Sequence, residues 1–158
     1  MKSTCMRFAA LLTVLILTTS VSAKTNYVSA TSGNDANNGL SWATAKQTIQ
    51  AAVNVAVDGD TVLVSNGVYH VSSQITVTKG VTVRGTSREA VVDGGGVTRC
   101  LYVSHALATL DSLTIQRGSS DQGAGVYCSG GTIQNCTVTA NNAVGVGETG
   151  LSMYGGGL

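Results

Sequence analysis

The sequence predicts an all-β protein, a parallel β-helix (solenoid) with a short capping α-helix near its N-terminus. After residue 60, short stretches of period-two alternation follow one another with no helical pattern between them. The chain has 20 glycines and no proline, and Val and Thr are frequent, which favours short strands joined by tight turns. Apolar pairs also recur at intervals of roughly 20 to 30 residues, as the coils of a β-solenoid require.

Residues 1–23 are predicted to be a secretory signal peptide. Lys2 and Arg7 precede the apolar run "FAALLTVLILTTS", and the small residues of "VSA" end at Ala23, where we expect cleavage. The run is too short for a membrane span, and no later segment reaches the length of about 18 apolar residues that a span needs. We therefore expect a protein that is secreted or displayed at the cell surface, with no membrane span once the signal peptide is removed.

The charge of the remaining chain argues against a nucleic-acid partner. Seven basic and eight acidic residues are left after position 23, and both signs are scattered. Binding to the phosphate backbone needs a clustered positive surface, which this pattern does not provide.

Three cysteines remain, an odd number for an exported protein: Cys100, Cys128 and Cys136. Cys128 and Cys136 fall at inward positions of the strand pattern, where a thiol behaves as a small apolar side chain. A disulfide across the interior is the alternative. Zinc binding is disfavoured, because neither His70 nor His105 falls near the cysteines in the pattern.

One helix is predicted, over residues 45–57. Thr44 and Gln47 form a capping box, the apolar side chains of Ile49, Val53 and neighbouring alanines share one face, and Gly59 can end the helix. A strand, a loop and this helix make up residues 24–60. The helix would cover the open edge and apolar cross-section of the first coil.

Eight strands are predicted after the helix, in residues 61–64, 74–77, 81–85, 90–96, 101–104, 113–118, 126–131 and 135–141. They fall into two columns of inward residues. The first column contains Ile75/Val77, Leu101/Val103, Val126/Cys128 and Leu158. The second column contains Val62/Val64, Val81/Val83, Leu113/Ile115 and Cys136/Val138. Each member of the first column is followed along the chain by a member of the second.

The residues between the inward pairs are expected to stack on external faces. One face would carry Thr82, Thr114 and Thr137, and another Thr76, Tyr102 and Tyr127. Residues 144–153 are predicted to be an insertion. The final "YGGGL" repeats the Gly-x-Gly entry of "GAGV" at residues 123–126, so residues 61–158 are expected to form coils that continue into a truncated fifth coil.

Two segments resemble a known group. "YVSATSGNDANNGLSWATAKQTIQAAVNVAVDGDTVLVSNGVY" (residues 27–69) and "TIQNCTVTANNA" (residues 132–143) resemble the N-terminal part of secreted right-handed parallel β-helix repeat proteins of the pectin-lyase-like superfamily. The resemblance implies a right-handed solenoid with an N-terminal cap. It does not imply one activity, because the superfamily contains lyases, glycosidases, epimerases, tailspikes and adhesins.

No complete catalytic or metal site can be assigned from the sequence. Polysaccharide elimination needs clustered carboxylates for Ca²⁺ and a basic residue, and hydrolysis needs paired acids on one face. The acids are scattered through turns, and no two lie within one strand. The loop "SGNDANNG" (residues 32–39) offers oxygen ligands but lacks the closing Glu, so a surface loop rich in Asx turns is favoured over a weak Ca²⁺ site.

Tyr102 and Tyr127 are the candidate glycan contacts, because aromatic rings stacked on one face can pack against sugars. The alternative is that they are ordinary strand aromatics. The function predicted is a secreted scaffold or glycan-contacting module with no complete active site in this chain, its partner a polysaccharide or a cell-surface glycan. The alternative is the N-terminal fragment of a pectate-lyase-like lyase or glycosidase whose catalytic coils lie beyond residue 158.

Overall fold

A computed structural model describes residues 22–144 and the backbone of residues 151–153. It contains one α-helix, α1 (Ile49–Val55), and a short 3-10 helix (Trp42–Thr44). The strands are β1 (Thr25–Val28), β2 (Thr61–Val64), β3 (Gly67–His70), β4 (Ile75–Val77), β5 (Thr82–Gly85), β6 (Ala90–Asp93), β7 (Leu101–Val103), β8 (Thr109–Asp111), β9 (Thr114–Gln116), β10 (Ser119–Ser120), β11 (Val126–Cys128), β12 (Thr132–Gln134), β13 (Thr137–Thr139), β14 (Asn142–Ala143) and β15 (Leu151–Met153).

The strands form a parallel β-solenoid of about 4 turns, which confirms the predicted fold class. Each coil contributes one strand to each of three parallel sheets. Sheet A contains β1, β2, β5, β8 and β12, sheet B contains β3, β6, β9 and β13, and sheet C contains β4, β7, β11 and β15. A two-stranded sheet of β10 and β14 lies between sheets B and C in the later coils. Consecutive coils therefore run in the same direction and stack.

Inward side chains form ladders that fill the interior. In sheet C, Ile75, Leu101 and Val126 are in register, so the first predicted column is confirmed for these coils. In sheet B, Val92, Ile115 and Val138 are in register on three successive coils. The inward side chains of β2, β4, β5, β7 and β9 are at most 2% exposed, which gives a dry apolar core.

The second predicted column is wrong as a single column, because it merged two sheets: Val62 does stack on Val83 in sheet A, and Ile115 does stack on Val138 in sheet B. Val83 pairs with Leu110 in sheet A, whereas Ile115 pairs with Val92 in sheet B. The error arose because β3, β8 and β12 were not predicted, so the strands of sheets A and B could not be told apart. For the same reason Thr82 stacks on Thr109 and not on Thr114.

The insertion predicted at residues 144–153 is also corrected. The backbone of β15 continues sheet C, with Leu151 in register with Val126. Leu151 follows Val126 at the same spacing at which Val126 follows Leu101 in the coil before it, so Leu151 and not Leu158 takes the next position of the first column. Leu158 lies outside the described residues.

Helix α1 is shorter than predicted. Its N-cap is Thr48, whose side chain accepts a hydrogen bond from the Ala51 N–H, so the capping box at Thr44 and Gln47 does not form. Ala45 and Lys46 are extended instead, and Lys46 makes a parallel β-bridge with Val28. The helix buries Ile49, Ala52 and Val53 against the first coil, as expected of a cap.

Candidate functional site

The outer face of sheet C carries the two tyrosines identified from the sequence. Thr76, Tyr102 and Tyr127 are in register on β4, β7 and β11, as predicted. The rings of Tyr102 and Tyr127 are stacked, with centroids 5.6 Å apart and planes inclined by 8°. Parallel strands place identical side chains one above the other, so the ladder itself aligns the rings. We call this pair the aromatic strip.

Arg99, just before β7, fixes the edge of the aromatic strip. Its guanidinium carbon lies 5.1 Å from the centroid of the Tyr127 ring, within cation–π range. The guanidinium also donates to Gln74 Oε1 at 2.7 Å and to Ser120 Oγ at 3.0 Å. Two more of its hydrogen bonds reach the carbonyl of Gln122. Arg99 thus ties three successive coils together beside the strip.

The aromatic strip offers a ligand a mixed apolar and polar surface. Both tyrosines are half-buried, and part of each ring face is used within the stacked pair. The exposed remainder of the rings, with the guanidinium of Arg99 beside Tyr127, is the part that can contact a ligand. Such a surface suits a sugar ring, which presents C–H groups on one face and hydroxyls at its edge.

The acidic side chains that could have supplied catalysis are held in separate structural contacts. Asp93 is 2% exposed and pairs with Arg117, the shortest N–O distance being 2.6 Å. Burial alone would raise the pKa of Asp93, but hydrogen bonds from Arg117, Gln116 and the Gly95 N–H lower it to about 2. Asp93 therefore carries a charge that Arg117 neutralises.

Asp111 lies in sheet A, away from Asp93 in sheet B. A hydrogen bond from Asn135 at 2.9 Å is the main reason why the pKa of Asp111 is lowered, and Arg84 lies 3.6 Å away. Asp58, Asp60 and Glu89 accept hydrogen bonds from turn and strand-end groups. Within residues 22–144, no three His, Cys, Asp or Glu side chains converge as a metal site would require.

The loop at residues 32–39 is built from Asx turns, as favoured from the sequence. The side-chain oxygens of Asn34 and Asn38 accept hydrogen bonds from the N–H groups two residues further on. The buried Lys46 reaches into the loop, and its Nζ donates to the carbonyls of Asp35 and Asn37 at 2.9 and 2.7 Å. These two carbonyl oxygens therefore bind the ammonium group of Lys46 from the same chain. Asp35 accepts hydrogen bonds from the N–H groups of Gln47 and Thr48.

The three cysteines are free thiols, so the disulfide alternative does not hold in this structure. Cys100 and Cys128 are buried, whereas Cys136 is half-buried. Burial raises the pKa of the Cys100 thiol to about 11, and burial also raises the pKa of Cys128 and of Cys136. Thiols held neutral in this way fill space and are poor nucleophiles.

One concave feature was not anticipated from the sequence. A cleft of about 310 Å³ lies between the start of α1 and the β3–β4 segment. Its walls include Ala30, Thr48, Ile49, Val68 and His70. The cleft was not predicted, because β3, which forms one of its walls, was not predicted.

One sequence signal is consistent with the contact between Gln74 and Arg99, namely their spacing. Gln74 and Arg99 are 25 residues apart, the same interval as Tyr102 and Tyr127. This interval is the coil length of sheet C, so residues that share it stack. The aromatic strip and its Gln74–Arg99 edge are therefore parts of one repeating face.

The fold and this face define the protein as a parallel β-solenoid with an external aromatic strip. No family model, no curated protein and no solved structure matches the chain. In the part of the chain that the structure describes, no helix has the length and apolar character needed to cross a bilayer.

Proposed function

We propose that this chain is an exported β-solenoid scaffold that contacts a saccharide through the aromatic strip of Tyr102 and Tyr127. The observation that carries the proposal is the register-aligned, stacked tyrosine pair with Arg99 fixed beside it. The predicted signal peptide supports export. The resemblance to right-handed β-helix proteins of the pectin-lyase-like superfamily supports a role on or near polysaccharides.

The geometry favours binding over turnover. A lyase or glycosidase needs carboxylates that converge near a base or a second acid. In residues 22–144, Asp93 and Asp111 lie in different sheets, and each is paired with an arginine of its own. No observation in that part of the chain favours the alternative of a lyase fragment, and the scaffold role is the one we put forward.

The test is retention of the purified exported chain on gels that contain pectin, cellulose or chitin. Replacing one stacked ring removes an aromatic contact of about 0.5–1.5 kcal/mol. We therefore expect Tyr102→Ala or Tyr127→Ala to weaken retention about 2- to 10-fold on the polysaccharide that is bound.

Two control variants separate the ring from other effects. Tyr102→Phe keeps the ring and should retain binding. Tyr27→Ala removes an aromatic residue on sheet A, where Tyr27 packs edge-on against Trp42, and should leave retention unchanged. If both alanine variants at the strip bind as the wild-type chain does, or if none of the gels retains the wild-type chain, the proposal is wrong.

A further inference from the structure

Coil zero, formed by the described residues 22–60, fills two of the three sheet positions. At the sheet A position, β1 pairs with β2. At the sheet C position, α1 packs against β4. At the sheet B position, β3 is the terminal strand of the sheet, and no described strand precedes it. Among the residues that the structure describes, the strand position beside β3 is therefore vacant.

The other two exposed edges at this end are covered. The outer edge of β1 bonds to the loop that follows it: the Tyr27 N–H donates to the Gly39 carbonyl, and the Lys46 N–H donates to the Tyr27 carbonyl. The outer edge of β4 is hydrogen-bonded to the side-chain amide of Gln50, which takes the place of a neighbouring strand. The Thr76 N–H donates to Gln50 Oε1 at 2.7 Å, and Gln50 Nε2 donates to the Thr76 carbonyl at 3.4 Å.

The described part of the chain gives the outer edge of β3 no such cover. Gly67 and Val71 donate their N–H groups to carbonyls of the β6 segment, so alternate residues face that neighbour. The N–H and C=O groups of Val68 and His70 consequently point the other way, into the cleft. Within residues 22–144 no loop, helix or side chain bonds to these four groups.

The cleft has the place and lining that an added strand needs. It separates β3 from the first turn of α1, with Ala30 and Ile49 on its inner side and Val68 and His70 on the outer side of the strand. A strand added beside β3 would enter this cleft, because Val68 and His70 line it and paired strands lie about 4.8 Å apart. Its inward side chains would meet apolar walls.

Only a single strand can occupy this position. A second solenoid stacking end to end would need all three sheets open, whereas α1 and the loop before it cover sheets C and A. An isolated extended peptide meets no such obstacle. The four unpaired backbone groups also define its chemistry, because a ladder of alternating donors and acceptors is matched by another extended backbone.

We propose that the outer edge of β3 is a peptide-binding site that accepts one extended strand of about four residues. The ligand is a segment of a partner polypeptide with small or β-branched, uncharged side chains, at least at the positions that face Ala30 and Ile49. Binding adds the missing strand of sheet B and fills the cleft. Main-chain hydrogen bonds to Val68 and His70 supply the affinity, and the inward side chains supply selectivity.

The first measurement is amide hydrogen exchange in the wild-type chain. Without peptide, the N–H groups of Val68 and His70 should exchange at least about tenfold faster than those of Tyr69 and Val71, which bond to the β6 segment. Equal protection of all four amides in the free chain would show that the edge is already paired and would overturn the proposal.

The second measurement uses a synthetic peptide as the probe. Residues 135–141, acetylated, amidated and carrying Cys136→Ser, reproduce β13, a sheet B strand with uncharged β-branched side chains. Its addition should slow exchange at Val68 and His70 and shift their amide resonances. The same peptide with Val138→Pro lacks a central donor and should not do so. Shifts confined to β13 of the protein, or no shifts at all, would contradict the proposal.

A pair of protein variants completes the test. Val68→Pro removes one outward N–H and leaves the bonds between β3 and β6 in place, and proline is tolerated on edge strands in this orientation. It should weaken probe binding at least about tenfold, whereas Val68→Thr should change it by less than about twofold. If Val68→Pro fails to fold, His70→Pro removes the other outward donor by the same logic. Unchanged binding in a folded proline variant would overturn the proposal.

Discussion

The ion pair between Asp93 and Arg117 joins the second coil to the third, and replacing Asp93 with asparagine tests how much it stabilises the stack. The Asp93 carboxylate accepts hydrogen bonds from Arg117 Nε at 2.9 Å and Nη2 at 2.6 Å, from Gln116 Nε2 at 2.9 Å and from the Gly95 N–H at 2.9 Å. In Asp93→Asn one carboxylate oxygen becomes an NH₂ group, which cannot accept the hydrogen bonds that the surrounding N–H groups donate. The Arg117 guanidinium also loses its counter-charge.

The magnitude follows from the pKa of Asp93. A shift from 3.8 to about 2 corresponds to about 2.4 kcal/mol, since one pKa unit is worth about 1.4 kcal/mol. The Arg117 side chain is 53% exposed, so solvent screens part of this interaction. We expect Asp93→Asn to lower the free energy of unfolding by about 1–2 kcal/mol at pH 7.

The sign of the pH dependence is fixed by the direction of the shift. The pKa of Asp93 is lower in the folded chain than in the unfolded chain, so the unfolded chain takes up protons first as pH falls. The stabilisation is complete above about pH 4 and is lost as pH falls through about 2. Asn cannot titrate, so the difference between wild type and variant should shrink over that interval.

Urea unfolding of both chains at pH 7, 5, 3 and 2 measures this difference. Asp121→Asn is the control, because Asp121 is exposed in a loop and its replacement should change stability by less than about 0.5 kcal/mol. A gap between wild type and Asp93→Asn that stays the same from pH 7 to pH 2 would refute the assignment of the effect to charge. A gap no larger than that of the control would refute the stabilising role altogether.

Two further predictions concern the backbone and the cap. Ala140 is exposed and has a φ of 53°, a strained conformation for any residue with a Cβ, so Ala140→Gly should raise the free energy of unfolding by about 0.5–1 kcal/mol. The control is Ala106→Gly, at an exposed position without positive φ, which should not raise it. Equal effects of the two substitutions in urea unfolding would contradict the strain argument. Lys79 Nζ donates to the carbonyls of Val53, Asn54 and Ala56 at the end of α1. Lys79→Met should therefore lower the free energy of unfolding by about 1–2 kcal/mol and speed amide exchange in α1. Unchanged amide exchange in α1 would show that the helix does not depend on Lys79.

The part of the fold that the sequence predicted correctly is the part with two inward apolar residues per strand. Sheet C has Ile75 and Val77, then Leu101 and Val103, and the pattern repeats at a nearly constant interval. Strands β8 and β12 each place one apolar side chain inward, Leu110 and Ile133, which a period-two search cannot detect. Pairing with neighbouring strands of sheet A holds β8 and β12 in place, and their own sequences carry no alternating apolar pattern.

Strand β3 escaped prediction for a different reason. Its inward side chain is Tyr69, and its hydroxyl is buried because it can bond to Ser65, to the Val28 carbonyl and to the Ala30 N–H. Val28 and Ala30 are 41 and 39 residues away from Tyr69 and meet it only in the folded chain. The alternate residue, Val68, is apolar but points outward and is 46% exposed. A prediction from hydrophobicity alone would therefore place Val68 inside and Tyr69 outside, which is the reverse of their positions in β3.

The aromatic strip was predictable because it depends on register alone. Tyr102 and Tyr127 occupy the same place in consecutive coils of sheet C, so one interval is enough to stack them. The contacts of Arg99 depend on side-chain reach across coils to Gln74 and Ser120. No local pattern encodes that reach, although the 25-residue spacing of Gln74 and Arg99 is consistent with it.

The error in the helix has a structural consequence at the β3 edge. A helix over residues 45–57 would be about 20 Å long, whereas the seven residues of α1 span about 10 Å. The chain instead keeps Ala45 and Lys46 extended, because Lys46 pairs with Val28 and its ammonium group closes the loop through Asp35 and Asn37. The shorter helix reaches sheet C but leaves the sheet B position uncovered. The contacts of Lys46 that complete the edge of sheet A thus create the cleft beside β3. A variant that removes these contacts, such as Lys46→Ala, should alter probe binding at β3 as well as the free energy of unfolding.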